Sequence, residues 1–182
     1  NNVFLCLDPA ATEFYKDSVY DMAGANQKFT SKDMVQYLKD LRARYPISSI
    51  EDGLAEDDWQ GWIDLTKEIG SDTQIVGDDL FVTNPVRIQQ GIEKEAANAV
   101  LVKVNQIGTL SEAIDAIHTA SSQKYESIIS HRSGETEDSF IADFSVGMGT
   151  GQIKTGAPSR SDRVSKYNRL LIIEKQTSLC FG

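Results

Sequence analysis

A chain of 182 residues, of which 40% are apolar, is long enough to bury the core of about one domain. Acidic residues outnumber basic ones by 27 to 18, and the net charge of -9 disfavours nonspecific binding to nucleic acid or to an anionic membrane. No apolar stretch is long enough to span a bilayer, so we expect no membrane span. The two cysteines, Cys6 and Cys180, lie at opposite ends without the spacing of a metal site, which favours a reducing, cytoplasmic setting.

Short apolar runs rich in β-branched residues predict six strands. The first run reads as a buried strand, so we expect the natural chain to begin upstream of Asn1 and these residues to be a fragment. The predicted strands cover residues 3–7, 47–50, 74–76, 99–104, 127–129 and 152–153.

Helical periodicity of the apolar residues fills the gaps between these strands, and the expected helix starts carry capping residues. Thr30 with Asp33, and Thr109 with Glu112, have the spacing of a capping box, in which the two side chains satisfy amides of the first helical turn. Residues 17–27 mix glycine, asparagine and charges without a period, so we expect a loop or a small excursion there. The alternation of strand and helix predicts an α/β fold with parallel strands and right-handed crossovers.

Each predicted strand leads to an ionisable residue, and these residues follow one another at intervals of 23 to 43 positions. Such βα units could form an open doubly wound sheet, or part of an eight-stranded barrel that lacks two strands. An open sheet concentrates its site near one switch point, whereas a barrel collects residues from many strand ends, so the spread of charges favours the partial barrel. The residues are Asp8, Glu51, Asp78, Lys103, His131 and Lys154.

The three acids could supply oxygen ligands to a hard divalent cation such as Mg²⁺. Each acid could instead cap a neighbouring helix, but three at equivalent positions favour the metal. A neutral amine at Lys103 could remove a proton from a carbon next to a carboxylate, while the metal stabilises the resulting enediolate. The alternative for Lys103 is a structural ion pair with one of the acids.

A polar loop follows the fifth predicted strand and combines two hydroxyls, an imidazole, a guanidinium and a glycine. Arginine can bind phosphate through two donors at once, and loop amides can add hydrogen bonds, so we expect this loop to bind an anion. An ordinary polar loop with a satisfied histidine is the alternative. Lys154 offers another cation at the next strand end. The loop consists of Ser130, His131, Arg132, Ser133 and Gly134.

Motifs around these strand ends are similar to those of one known family. They are Ser49-Ile50-Glu51-Asp52-Gly53, Gly77-Asp78-Asp79-Leu80, Lys103-Val104-Asn105-Gln106-Ile107-Gly108, Ser130-His131-Arg132-Ser133-Gly134 and Gly151-Gln152-Ile153-Lys154-Thr155-Gly156. Together they resemble the carboxyl-terminal part of enolase, the phosphopyruvate hydratase of glycolysis, over about residues 3–174. The resemblance implies that residues 1–182 are an incomplete, TIM-like enolase barrel domain with about six parallel βα units, and that the full-length family member is a homodimer.

Enolases interconvert 2-phosphoglycerate and phosphoenolpyruvate with Mg²⁺, and the resemblance carries roles onto the matching residues. It implies that Lys103 is the general base and that Lys154 holds the carboxylate end of the substrate. The implied metal ligands are Asp8, Glu51 and Asp78, and the implied substrate-binding residues are Glu51, Asp78, Ser130, His131, Arg132, Ser133 and Lys154.

Other parts of the family pattern have no match in these residues: the amino-terminal domain, the opening barrel strands, the general-acid glutamate and the closing loop. The tail at 175–182 also departs from the acidic helix usual in the family. We therefore expect impaired activity of this fragment alone. A non-catalytic fragment that acts as a protein-interaction surface is the alternative, although Gly182 stands where such binding commonly uses a terminal lysine. A related enzyme acting on acid sugars is disfavoured by the phosphate loop.

Overall fold

The computed structural model describes residues 3–177, so Cys180 and the end of the divergent tail lie outside it. Strands and helices alternate along the chain, as predicted. In chain order the elements are β1 (Leu5–Leu7), a 3₁₀ turn (Ala11–Phe14), β2 (Tyr15–Lys16), β3 (Val19–Met22), a second 3₁₀ turn (Ala23–Ala25), β4 (Gln27–Phe29), α1 (Ser31–Arg44), β5 (Ile47–Glu51), α2 (Trp59–Ile69), β6 (Gln74–Gly77), α3 (Pro85–Lys94), β7 (Ala99–Val102), α4 (Val104–Ile107), α5 (Leu110–Ser122), β8 (Glu126–Ser130), α6 (Phe140–Gly147), β9 (Ile153–Lys154) and α7 (Ser161–Thr177).

The predicted helix starts are present. At α1 the Asp33 amide donates to Thr30 Oγ1 over 3.3 Å, and the Thr30 amide donates to Asp33 Oδ2 over 3.0 Å, so the capping box is complete. At α5 the Glu112 amide donates to Thr109 Oγ1, but the Glu112 carboxylate accepts from the same hydroxyl, so half of the expected box forms. Among the described helices, none is both long and apolar enough to cross a membrane.

The main sheet has six strands in the order β1-β5-β6-β7-β8-β9, and every neighbouring pair is parallel. The two outer strands are nevertheless close at their carboxyl ends, where Lys154 Nζ lies 2.8 Å from Asp8 Oδ2. A flat, open sheet would keep these ends far apart, because neighbouring strands are about 4.8 Å apart. The sheet is therefore curled into a partial TIM-like barrel, and the open doubly wound alternative is wrong.

The core lies between the convex face of this sheet and the helices. Ile75, Val100 and Ile129 point to that side and pack with helical residues such as Trp62 and others of the same buried cluster. Alternate strand positions point to the concave face, where Val76, Ala99, Leu101 and Ile128 form a second, smaller cluster.

The prediction that the first strand is buried is wrong. Leu5 is 46% exposed and Val3 is 79% exposed, because within the described residues β1 pairs only with β5 and has a free outer edge. The fourth predicted strand is too long at its end, since β7 stops at Val102 and α4 begins at Val104. The strand pattern alone did not reveal either outcome.

The predicted loop or excursion over residues 17–27 is an excursion: β2, β3 and β4 form a small antiparallel sheet. Tyr20 of β3 is buried, and its hydroxyl donates to Asp58 Oδ2 over 2.7 Å and accepts from the Ala55 amide over 2.9 Å. The small sheet is thereby fixed against the loop that follows β5. Asp58 also caps α2, because its Oδ1 accepts a hydrogen bond from the Gly61 amide.

Candidate active site at the strand ends

The six predicted ionisable residues all stand at the carboxyl ends of the strands of the curled sheet. Glu51 is the last residue of β5, Lys154 is the last residue of β9, and the other positions directly follow β1, β6, β7 and β8. In a parallel barrel these ends share one rim, so residues distant in the chain can meet there. The structure brings five of them together in two groups, one around each lysine, and the ring of His131 instead contacts Arg163.

Lys154 joins the acids of two different strands. Its Nζ donates to Asp8 Oδ2 over 2.8 Å and to both Glu51 oxygens over 2.7 and 2.8 Å. Burial lowers the pKa of Lys154, but these hydrogen bonds outweigh it and the net pKa is raised. Burial raises the pKa of Glu51 to about 7, against the opposing effect of Lys154. The predicted substrate-binding lysine thus lies among the predicted metal ligands.

Lys103 and Asp78 form the second group. Lys103 Nζ donates to Asp78 Oδ2 over 2.5 Å, and both side chains are largely buried. Burial raises the pKa of Asp78, and Lys103 opposes that change. The ion pair that was the structural alternative for Lys103 is therefore present, but it also holds the amine inside the rim. The role of Lys103 as a base stays a prediction.

Asp52 is a site residue that sequence reasoning missed. It is buried, its φ is 44°, and its two carboxylate oxygens accept from the amides of Asp78 and Asp79, each over 2.9 Å. Burial raises its pKa to about 7, and the amide hydrogen bonds oppose that shift. Asp52 therefore braces the turn that carries Asp78. Two features of the sequence could have pointed to Asp52: it directly follows Glu51, and aspartate tolerates a left-handed backbone better than most residues.

The geometry of the carboxylates bears on a cation site. Among the described residues, Asp52, Asp78 and Asp79 are the group with ligand atoms within 4.8 Å of one another, and the predicted trio is not such a group. Both oxygens of Asp52 already accept hydrogen bonds from amides. In contrast, Asp78 Oδ1 is buried and has no hydrogen-bond partner among residues 3–177. The charge of Asp78 also makes a small contribution to the raised pKa of Glu51. Such oxygens suit Mg²⁺.

The loop predicted to bind an anion, residues 130–134, follows β8 at the same rim. Below, the name anion loop covers residues 130–136, which add Glu135 and Thr136 to the predicted segment. The amide of His131 donates to the Lys154 carbonyl over 2.9 Å, which ties the loop to β9. Arg132 Nη1 donates to Asn105 Oδ1 over 2.9 Å, and its amide donates to Glu135 Oε1 over 3.1 Å. Ser130 Oγ donates to the carbonyl of the adjacent His131, and Ser133 is exposed. The loop is ordered by internal contacts, and its binding of an anion stays a prediction.

Two cations of α7 contact the anion loop, and sequence reasoning did not single them out. Arg163 Nη1 lies 2.5 Å from His131 Nδ1, and the guanidinium also donates to two loop carbonyls. Lys166 is completely buried and pairs with Glu135 over 2.7 Å. Burial lowers the pKa of His131, and the charge of Arg163 lowers it further.

A curled parallel β/α sheet with acids and lysines at its strand ends defines the class of barrel enzymes that act at the carboxyl-terminal rim. The family model described as the enolase C-terminal TIM barrel domain matches residues 1–179. Enolase 1 of Methanospirillum hungatei JF-1 is 57% identical over 175 residues, which are 96% of this chain and 41% of that relative. The chain belongs to the enolase family and spans less than half the length of this relative.

Proposed function

We propose that these residues form an incomplete enolase barrel domain and carry the barrel part of an active site that interconverts 2-phosphoglycerate and phosphoenolpyruvate. The full protein would be a Mg²⁺-dependent lyase of glycolysis, cytoplasmic and homodimeric. One observation carries the proposal: in a chain of this family, Lys154 lies between Asp8 and Glu51 while Lys103 pairs with Asp78 at the same rim. Acids and amines at strand ends are what proton abstraction next to a carboxylate requires.

The acids are of the type that holds the cation this chemistry needs, although in the metal-free chain their oxygens do not all lie within 4.8 Å of one another. Asp8, Glu51 and Asp78 would hold Mg²⁺, and the buried Asp78 Oδ1, which has no partner among the described residues, supports a ligand role. When bound, the cation supplies positive charge that stabilises the enediolate. The raised pKa of Glu51 indicates that its charge needs more compensation than Lys154 provides.

The protein's own groups then divide the remaining tasks. Lys103 Nζ accepts the proton from the carbon next to the substrate carboxylate, and its largely buried position limits access of competing water. Lys154 holds the carboxylate end of the substrate. Arg132 and Ser133, with His131 and Ser130, bind the phosphate group, for which a guanidinium offers paired donors. In the metal-free chain the two lysines pair with acids whose negative charge the cation would otherwise compensate.

The test is hydrogen exchange at the α-carbon of 2-phosphoglycerate. The chain is incubated with substrate and Mg²⁺ in heavy water, and NMR follows both loss of the α-proton signal and formation of phosphoenolpyruvate. We expect exchange without net dehydration, because the family's general acid has no match in these residues. Lys103→Met should slow exchange by roughly 100-fold or more, since that is the usual contribution of a positioned base.

Lys67→Met is the matched control, because Lys67 is exposed in the last turn of α2, which leads to the amino end of β6 and so to the end of the sheet opposite the rim. Circular dichroism of all three proteins checks that the fold is retained. Equal exchange by wild type and Lys103→Met would contradict the role of the base. Net dehydration at the rate of a complete enolase would contradict the need for groups outside these residues.

A further inference from the structure

The contact between α7 and the anion loop specifies the chemistry of one histidine. Arg163 makes three polar contacts with consecutive loop residues: Nη1 with His131 Nδ1 over 2.5 Å, Nη1 with the Arg132 carbonyl over 2.9 Å, and Nη2 with the Ser133 carbonyl over 3.1 Å. Its side chain is 12% exposed, so these contacts form largely out of water. The planar guanidinium presents its donors in a fixed fork, which suits several acceptors arranged along one loop.

The contact with the imidazole determines where the ring proton resides. A guanidinium has donors and no acceptor, so His131 Nδ1 must be the acceptor and cannot carry a proton. In a neutral ring the proton then resides on Nε2. Protonation of both nitrogens would place an N–H against the Arg163 N–H and two positive charges side by side.

Other groups around the ring act in both directions. Burial lowers the pKa of His131 most, Arg163 lowers it next, and the charge of Lys154 adds a smaller effect of the same sign. A hydrogen bond with the Thr155 backbone and the charge of Glu135 raise it, but the net pKa is below its ordinary value. The charged groups that face the ring therefore come from α7, β9 and the anion loop itself.

Arg163 is held in place from its other side. A Cβ on Gly156, whose φ is +85°, would lie 2.8 Å from Arg163 Cδ, so the aliphatic part of the arginine packs on bare backbone just after β9. The Tyr167 hydroxyl, one helical turn further along α7, donates to the Gly156 carbonyl over 2.5 Å. Arg163 is thus fixed between the loop that follows β9 and the anion loop.

Lys166 anchors the far end of the anion loop. Its Nζ donates to the Thr136 and Asp162 carbonyls, each over 2.6 Å, and to Glu135 Oε2 over 2.7 Å. These contacts satisfy all three donors of an ammonium group that is completely buried. Glu135 in turn accepts the Arg132 amide through its other oxygen. A buried charge paired in this way is costly to disturb, so the loop and α7 behave as one unit.

We propose that Arg163 is a positioning residue that holds His131 as the neutral tautomer protonated on Nε2, and that Arg163 and Lys166 together set the shape of the anion loop. His131 then has a single N–H donor, on Nε2, and no free proton acceptor. That the ordered loop binds a phosphorylated substrate rests on the proposed function, whereas the tautomer of His131 and its cause do not.

The tautomer can be measured directly in the metal-free 182-residue chain. The protein has two histidines, and His118 is exposed on α5, so it serves as an internal reference. With ¹⁵N-labelled histidine, long-range ¹H–¹⁵N spectra distinguish protonated from unprotonated ring nitrogens. We expect His131 to show an unprotonated Nδ1 and a protonated Nε2 at neutral pH, and to have a pKa below the ordinary value of histidine. A protonated Nδ1 in wild type would overturn the proposal without any variant.

Variants then separate the cause from general structural support. Arg163→Met should raise the pKa of His131 and populate the other tautomer, while Arg163→Lys, which keeps the charge without the fork, should restore the wild-type state only in part. Arg160→Gln is the matched control, because Arg160 is 80% exposed at the start of the same helix. Unchanged His131 signals in Arg163→Met would overturn the proposal. If the wild-type chain shows the expected His131 tautomer but does not exchange the α-proton of 2-phosphoglycerate, that result counts against the proposed function alone.

Discussion

The central strands and the two outer strands of the curled sheet differ in how their positions are fixed. Ile50 on β5, Ile75 on β6 and Val100 on β7 are completely buried, with a strand on each side and helices above. Leu5 on β1 is nearly half exposed, and Ile153 on β9 is only partly buried. The central strands owe their geometry to packing, whereas within the described residues each outer strand is paired on one side only.

The same difference divides the site. Asp78 is placed by a buried turn that Asp52 braces through two amides, and Lys103 pairs with it under cover. Asp8 and Lys154 stand on the outer strands, are more exposed, and meet through an ion pair. Half of the rim is thus determined by the core, and the other half depends on an exposed electrostatic contact that solvent and salt can weaken.

The largest expected effect compares one core residue with one edge residue. Ile75→Ala should reduce the free energy of unfolding by about 2–5 kcal/mol, because it leaves a cavity between the sheet and the helices. Leu5→Ala should change it by no more than about 0.5 kcal/mol, since much of that side chain is already in water. Urea unfolding followed by circular dichroism measures both. Equal losses in the two variants would mean that the edge strand is held by packing after all.

A second prediction uses the buried carboxyl of Asp52, whose pKa is raised by burial from 3.8 to about 7. The folded chain holds this proton more tightly than the unfolded chain, so the metal-free protein should lose stability as pH rises between these values. Asp52→Asn should reduce this pH-dependent loss in the free energy of unfolding by on the order of 1–3 kcal/mol. The rest of the loss should persist, because the pKa of Glu51 is also raised to about 7.

Urea unfolding of wild type and Asp52→Asn from acid to neutral pH checks this slope, which is independent of any uniform loss from the altered hydrogen bonds. Asp57→Asn controls for the change in net charge, because Asp57 is exposed in the same loop. If Asp52→Asn follows the wild-type pH dependence as Asp57→Asn does, the buried Asp52 carboxyl is not a cause of the loss of stability.

The smallest expected effect concerns the contact between the outer strands. Lys154→Met should reduce the free energy of unfolding by about 1 kcal/mol at low salt, a modest figure because the lysine is 36% exposed. High salt should weaken the pair in wild type and so shrink the difference between the two proteins. Lys67→Met again serves as the exposed control. A loss of several kcal/mol that does not respond to salt would show that this half of the rim is as firmly built as the other.

The sequence predicted much of this fold because its local signals are strong. Alternating periods and the caps at Thr30 and Thr109 located the strands and helices, and the six charged strand ends predicted a curled sheet. The exposure of β1 could not be read from its residues, because the burial of a strand depends on whether another strand lies beside it. An apolar run shows that a strand can pack against apolar neighbours, but not that such neighbours are present.

The missed site residues share a physical cause. Asp52 acts on amides 26 and 27 residues away, and Arg163 acts on a histidine 32 residues away. Nothing in the local pattern distinguishes these side chains from ordinary loop acids and surface cations of a polar helix. Lys166 is the clearest case, since burial of a lysine is rare and two of its three acceptors, the Thr136 carbonyl and the Glu135 carboxylate, reach it only when α7 docks.

The contact between Lys154 and Asp8 joins residues 146 positions apart, and this has a consequence for how the chain acquires its shape during synthesis. Asp8 leaves the ribosome well before its cationic partner on β9, because the small antiparallel sheet and four strands of the main sheet, β5 to β8, are made between them. Such distant closures are entropically late events in folding. We therefore expect the central strands to assemble before the two outer strands of the described sheet come together.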